Sequence, residues 1–189
     1  MNTKEIILKG QYCNGMGVAS KTVSLQAKAL LELGNSHAAQ ALNSGRSVFR
    51  GTVNMKLQPN CNYLVKKFSF FFRHLNWDTE HRYIKKHKGE NIGLVKINSI
   101  KVNKQLFTDI ENSYLYFGLR GGHYKRGDML EILTPIELPV YPHCDLVVTV
   151  NSDLIESDHS KWFKLKRKAV IKLRKLFRAE DGNWFQSRH

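Results

Sequence analysis

The stretch F-R-G-T-V-N-M-K-L, residues 49–57, is the most informative part of this chain for its fold. Apolar side chains alternate with polar ones along it, which predicts a strand over Val48–Leu57 with one buried face. Thr52 and Asn54 share a face of that strand because side chains repeat every second residue. A hydroxyl and a carboxamide beside Gly51 suit Mg²⁺ that is held mainly by nucleotide oxygens. A strand pair without a ligand is the alternative.

Short alternating segments on both sides of this stretch predict further strands. Helix formers with an apolar stripe predict one early helix at Gln26–Leu33, and Ala38–Leu42 adds a second short one. Many short strands with little helix favour a mainly β fold, a small β-barrel with helical decoration, over residues 1–150. The other predicted strands are Glu5–Cys13, Lys21–Leu25, Phe68–Phe72, Ile92–Val102, Tyr114–Leu119, Asp128–Leu138 and Asp145–Val150.

Length and composition restrict the class of protein. The 189 residues fit one domain with an appendage, and 42% apolar residues exclude a disordered chain. No apolar run approaches the roughly 18–20 residues of a membrane span, and Ile6–Leu8 is too short for a secretion signal. We therefore expect a cytoplasmic protein. Three distant cysteines, Cys13, Cys61 and Cys144, argue against a disulfide framework.

The net charge of +14 indicates attraction to polyanions. Nucleotides, nucleic acid and an anionic membrane surface all satisfy that charge, and so does simple solubility. The charge by itself does not choose among them.

The last 39 residues, 151–189, differ from the rest and are expected to be a linker with a basic helical tail. Asn151–Ser160 is polar, and Lys161–Arg178 carries nine Lys or Arg and no acid. Helical spacing places five apolar residues on one face of that tail. The preferred interpretation is a helix that docks this apolar face on the barrel. Binding of nucleic acid and binding of an anionic membrane are the alternatives. The five residues are Trp162, Leu165, Ala169, Leu173 and Leu176.

A glycine loop, G-M-G-V-A-S-K-T at residues 15–22, follows the first predicted strand. Glycines allow backbone N–H groups to approach a phosphate, and Lys21 adds charge. The loop departs from the G-x-x-x-x-G-K-[ST] pattern because Ser20 stands where that pattern has glycine. A P-loop, a different phosphate-binding loop and an ordinary tight turn all remain open.

Glu131 is a carboxylate inside the apolar segment D-M-L-E-I-L, residues 128–133. Burying a carboxylate without a partner is costly, so we expect it to meet a partner or a ligand hydroxyl. An outward-facing strand glutamate is the alternative.

Three segments in this order resemble the archaeal-type CTP-dependent riboflavin kinases. They are L-K-G-Q-Y-C-N-G-M-G at 8–17, G-T-V-N-M-K-L at 51–57 and M-L-E-I-L-T-P-I-E-L at 129–138. The resemblance covers roughly residues 5–150. It implies a cradle-loop (RIFT-like) β-barrel that transfers a phosphoryl group from CTP to riboflavin with Mg²⁺.

The resemblance also implies roles for individual residues. Thr52 and Asn54 would hold Mg²⁺. Glu131 would contact the flavin substrate and orient or deprotonate its hydroxyl. His123 stands where the family has a threonine near the substrate phosphate. The nucleotide would lie against Gly15, Met16, Gly17, Val18, Ala19, Ser20 and Lys21, and against Ile136, Glu137 and Leu138.

Departures from the family pattern leave the substrate open. Ala19 and Ser20 replace a glycine and a basic residue, and Pro139 replaces an arginine at the nucleotide edge. A related hydroxylated small molecule is therefore an alternative acceptor. A barrel that binds nucleotide or nucleic acid without catalysis, using the basic tail, is the alternative function.

Overall fold

A computed structural model describes residues 4–14, 53–59, 61–75, 90–108, 110–119, 127–134 and 136–176. Within these ranges the chain is mainly β with one C-terminal helix, which confirms the mainly β prediction. The strands are β1 Glu5–Tyr12, β2 Val53–Leu57, β3 Asn62–Val65, β4 Phe70–Leu75, β5 Glu90–Lys96, β6 Ser99–Val102, β7 Gln105–Phe107, β8 Tyr114–Gly118, β9 Met129–Leu133, β10 Asp145–Asn151 and β11 Ile155–Asp158, and the helix is α1 Lys161–Leu176.

Nine of these strands form one antiparallel sheet in the order β4-β5-β8-β9-β2-β1-β10-β6-β7. The remaining two, β3 and β11, form a small sheet of their own. Across the described strands the large sheet is open, because β4 and β7 stand at its two edges and do not pair with each other.

The hydrophobic core lies on one face of the large sheet. On β2 the buried residues Val53 and Met55 stand opposite Ile132 and Leu130 of β9. Residues directly opposite one another on antiparallel strands lie on the same face of the sheet. The alternation in each strand therefore places its apolar residues on the same side. Leu8 of β1 is fully buried in the same core.

The predicted strand Ile92–Val102 is two strands in the structure. Between β5 and β6 the chain changes partner: Ile97 N–H donates to the Ser113 carbonyl at 3.0 Å, and Asn98 N–H donates to the Thr149 carbonyl at 2.9 Å. Apolar and polar residues alternate in both β5 and β6, so the alternation in the sequence did not indicate the break between them. The predicted strand Asp128–Leu138 is also shorter, since β9 ends two residues before Pro135, which has no N–H to donate.

The polar segment Asn151–Ser160, expected to be a linker, contains a strand. Its residues 155–158 form β11, with Ile155 opposite Val65 of β3. The division of the chain at residue 150 stays a prediction. The predicted strand Lys21–Leu25 and the predicted helices Gln26–Leu33 and Ala38–Leu42 lie outside the described residues.

Helix α1 docks on the protein, but not through the predicted face. Phe163, Arg167 and Arg174 are its buried residues. Arg167 Nε donates to the Tyr63 carbonyl at 2.7 Å, and Arg174 donates to the Val65 carbonyl. These contacts satisfy carbonyls of β3, while the aliphatic stems of the arginines pack as apolar groups.

The prediction that Trp162, Leu165 and Leu173 dock is therefore wrong, because all three are exposed. Separately, no helix among the described residues is both long enough and apolar enough to cross a membrane.

Candidate functional site

A row of polar side chains crosses the middle of the large sheet. Asn54 of β2 stands opposite Glu131 of β9, and Glu131 stands opposite Tyr116 of β8. Direct partners of antiparallel strands have Cβ atoms about 5 Å apart on the same face. We call Asn54, Glu131 and Tyr116 the polar row. Two residues that sequence reasoning assigned to one site are thus neighbours in the sheet.

The polar row lies on the face of the sheet opposite the hydrophobic core. Its members alternate along their strands with core residues, such as Met55 and Leu130. Asn54 and Tyr116 are buried, and Glu131 is half-buried. This face is therefore covered at both ends of the row, and the carboxylate between them retains access to solvent.

The described parts of the three sequence motifs include three neighbouring strands, β1, β2 and β9. Strands β1 and β9 both run antiparallel to β2, so the chain leaves both of them at the end where it enters β2. Cys13 N–H donates to the Asn54 carbonyl at 3.0 Å. The chain therefore departs toward its glycine loop from a point beside Asn54. The loop residues Gly15–Lys21, together with Thr52 and His123, lie outside the described residues.

Residues 136–138 follow β9 at this same end of the sheet. Ile136 is half-buried and its N–H donates to Thr134 Oγ1 at 3.4 Å. Glu137 is exposed, whereas Leu138 is buried in the core and its carbonyl accepts from Val140 N–H at 2.7 Å. The Leu138 side chain thus serves packing. A nucleotide would meet this segment through the Glu137 side chain and through backbone groups.

A groove of about 1480 Å³ lies beside β1 and β2, and none of the three polar-row residues lines it. Its lining includes Cys13, Asn14 and residues from the first half of helix α1. Its described ionisable lining is richer in bases than in carboxylates, so the groove attracts anions. These residues are Lys56, Lys161, Lys164, Lys168, His143, His159, Asp128 and Asp145.

Sequence reasoning missed Lys56 and Tyr116. Lys56 is two residues after Asn54 on the same strand, so the period of two already placed both on one face. It is exposed and lines the groove, where an ammonium group can meet a phosphate. Tyr116 had no such signal, because its place in the polar row depends on the pairing of β8 with β9.

The thiol beside the polar row is a poor nucleophile. Burial raises the pKa of Cys13 above its ordinary value; a hydrogen bond from the Lys56 backbone and the Lys56 charge act in the opposite direction. Burial also raises the pKa of Cys61. All three cysteines are unbridged. A raised thiol pKa disfavours the thiolate form, which weighs against thiolate catalysis by these two cysteines.

The donor chemistry of the polar row fits Mg²⁺ better than a softer metal. The carboxamide oxygen of Asn54 is a hard ligand, of the kind that Mg²⁺ combines with phosphate oxygens and water. Within the described ranges, no cluster of three or more His, Cys, Asp or Glu residues is suited to a metal. A zinc-type site built from these four residue types therefore has no counterpart in that part of the chain.

No protein-family model and no curated protein matches this chain.

Proposed function

We propose that this protein transfers a phosphoryl group from CTP to riboflavin, or to a related hydroxylated small molecule. The observation that carries the proposal is the pairing of Asn54 with Glu131 beside the start of the glycine loop. A phosphoryl transferase needs an oxygen ligand for the metal, a carboxylate for the acceptor and a phosphate loop within one cleft. Asn54 and Glu131 would supply the first two, and the departure of the chain from β1 beside Asn54, toward residues 15–21, supports the third.

Glu131 acts on the acceptor hydroxyl. The hydroxyl oxygen forms a bond to the γ-phosphorus, and the bond from that phosphorus to the β,γ-bridging oxygen breaks. The hydroxyl proton passes to the Glu131 carboxylate, and the products are CDP and a phosphate monoester. The half-buried position of Glu131 suits this role, since it is accessible to substrate and partly shielded from water.

Asn54 and Thr52 hold the metal, and Lys56 with the backbone of residues 15–21 holds the phosphates. Bound Mg²⁺ would neutralise charge on the triphosphate as the leaving group departs. Lys56 adds a positive charge on the same face as Asn54, and it lines the groove. Ile136, Glu137 and Leu138 contact the base through backbone groups, and His123 contacts the acceptor.

The closed cradle-loop barrel and the cytoplasmic location belong to this proposal. An antiparallel sheet with β2 between β1 and β9 supports this proposal, because the chain leaves β1 and β9 at the end of the sheet where it enters β2.

A barrel that binds nucleotide or nucleic acid without catalysis is the second candidate. The observation in its favour is the excess of bases along the groove, three of them lysines of helix α1. Such a protein binds polyanions through the groove and forms no phosphate monoester.

The test is to incubate the full chain with Mg²⁺, riboflavin and each of the four nucleoside triphosphates, and to separate FMN by chromatography. We expect FMN with CTP and none after chelation of the metal. Absence of product with every donor, together with saturable binding of cytidine nucleotides, would establish the second candidate instead.

Two pairs of variants connect turnover with the polar row. Glu131→Gln removes the proton acceptor and should lower kcat by on the order of 10²-fold or more. Its matched control is Glu111→Gln, an exposed carboxylate in a turn outside the row. Asn54→Ala should raise the Mg²⁺ concentration needed for turnover, whereas Asn98→Ala, at the exposed bend after β5, should not. Equal rates for Glu131→Gln and Glu111→Gln would remove Glu131 from the mechanism.

A further inference from the structure

Helix α1 presents an apolar stripe to solvent. Trp162 is 78% exposed, Leu165 56%, Leu173 43% and Leu176 67%. Together with exposed Ala169 they recur every three or four residues along one side of the helix. We call these five residues the outer stripe. Exposed apolar residues scattered singly are ordinary, but a continuous stripe of this kind marks an interaction surface.

A flank of lysines runs beside the outer stripe for the whole length of the helix. Lys161, Lys164, Lys168, Lys172 and Lys175 are all exposed and follow the same helical spacing. The two arginines described above, Arg167 and Arg174, are buried on the docked face instead. The helix thus has three sides, one docked, one apolar and one uniformly cationic.

We propose that the outer stripe and the lysine flank bind an anionic membrane surface, with helix α1 lying parallel to it. Apolar side chains enter the boundary between headgroups and acyl chains, and lysines extend to the anionic headgroups. Trp162 at the start of the helix suits that boundary, because indole rings favour the membrane interface.

The geometry of the helix selects this partner over two others. A protein groove that encloses a basic amphipathic helix contacts most of its circumference, whereas here one side is held by β3 through Arg167. A flat surface needs the outward sides alone. Nucleic acid would match the lysines, but its phosphate backbone has no apolar surface to cover Trp162 and Leu165. The proposal does not depend on the phosphoryl-transfer activity.

The experiment measures sedimentation of the full chain with vesicles of phosphatidylcholine alone and with about 30% phosphatidylserine. We expect binding to the anionic vesicles that weakens as salt is added. Trp162→Phe keeps an apolar ring but removes one indole, so the blue shift of tryptophan emission on binding should be smaller in this variant.

Two double variants test the surface, one for the outer stripe and one for the lysine flank. Leu173→Ser with Leu176→Ser should weaken vesicle binding by about tenfold or more, and Lys172→Gln with Lys175→Gln should do so by about tenfold. Both leucines are exposed, and none of these four residues lines the groove, so the fold and any nucleotide binding should be unchanged. The matched controls are Leu106→Ser, 57% exposed on β7, and Lys101→Gln with Lys104→Gln beside it.

Three outcomes would overturn the proposal. The first is equal sedimentation with neutral and anionic vesicles. The second is vesicle binding that the outer-stripe variants leave intact. The third is a different occupant: a dimer that light scattering detects and Leu173→Ser dissociates, or an oligonucleotide that binds through the same lysines while vesicles do not bind.

Discussion

The two opposite sides of helix α1 differ in which residue types they bury. From residue type alone one would expect the apolar side chains of the outer stripe to be buried and the arginines to be exposed, and the structure shows the reverse. The docked side buries two arginines, Arg167 and Arg174, and the outward side exposes Trp162 and three leucines. Buried cations are rare unless they are paired or hydrogen-bonded. Here strand carbonyls of β3 accept from them, and the Tyr63 ring lies 5.2 Å from the Arg167 guanidinium. Burial on this helix thus follows hydrogen-bonding partners as well as apolar character.

The largest expected difference between the two sides concerns apolar residues. Phe163 is buried on the docked side, so Phe163→Ala should lower the free energy of unfolding by about 3 kcal/mol. Leu173→Ala, on the outward side, should change it by less than about 0.5 kcal/mol. Urea denaturation followed by circular dichroism measures both. Similar losses for the two variants would mean that the outer stripe is packed against the protein in solution.

The second-largest loss in the free energy of unfolding is expected from replacing a buried arginine. Arg167→Met removes the donor to the Tyr63 carbonyl and should lower the free energy of unfolding by about 2 kcal/mol. Lys168→Met is the matched control, since it also replaces a cationic side chain by Met, one residue along and on the exposed side. It should cost less than about 0.5 kcal/mol.

Gly127 allows a sharper test of the same contact. Its φ is +74°, and a Cβ there would collide with the guanidinium of Arg167. Gly127→Ala should therefore be destabilising, and less so when Arg167 is already Met. A double-mutant cycle should give an interaction of at least about 0.5 kcal/mol, whereas strict additivity would mean that the two residues do not touch.

The smallest effect is expected at the start of the helix. Ser160 Oγ accepts from Phe163 N–H at 3.1 Å, which is an N-cap that holds the first turn and with it the position of both sides. Ser160→Ala should cost about 1 kcal/mol. Replacement by Asn, which also caps, should restore most of the loss; a variant that remains as unstable as Ser160→Ala would argue against capping.

Asp158 makes this cap sensitive to acid. Hydrogen bonds from the Ser160 side chain and backbone lower the pKa of Asp158 below its ordinary value of 3.8. A lowered folded-state pKa contributes stability above the ordinary value, and that contribution is lost as the pH falls through the lowered pKa. The carboxylate is fully exposed, so the effect is small. The stability difference between the wild type and Asp158→Asn should therefore shrink below about pH 4.

Much of the sheet could be predicted because alternation is a local property. Strands β1, β8 and β10 coincide with predicted segments to within about one residue, a normal uncertainty for element ends. The break between β5 and β6 could not be predicted in this way, because both halves alternate and the change of partner is made by distant residues. Strand β11 was missed for a related reason: I-E-S-D is a polar segment, and pairing with β3 makes it a strand.

In the candidate site, too, the residue types could be identified from the sequence, whereas their positions relative to one another could not. Asn54 and Glu131 were identified from residue type and from their place in apolar strands. Their position opposite one another depends on the register of β2 with β9, to which residues far apart in the chain contribute. Tyr116 joined them only through that pairing. Lys56 was within reach of sequence reasoning, since its distance of two residues from Asn54 already put both on one face.

By itself the sequence determined which side chains share a face of each strand, that residues 161–176 form a basic amphipathic helix, and that the chain attracts polyanions. These three properties follow from backbone periodicity and total charge, and neither depends on contacts between distant parts of the chain. Tertiary structure alone decided which strands pair, which residues meet in the polar row, and which side of the helix is buried. Each of these depends on where donors, acceptors and apolar surface from remote segments come together, and two carbonyls of β3 were enough to turn the arginines inward and leave the leucines outside.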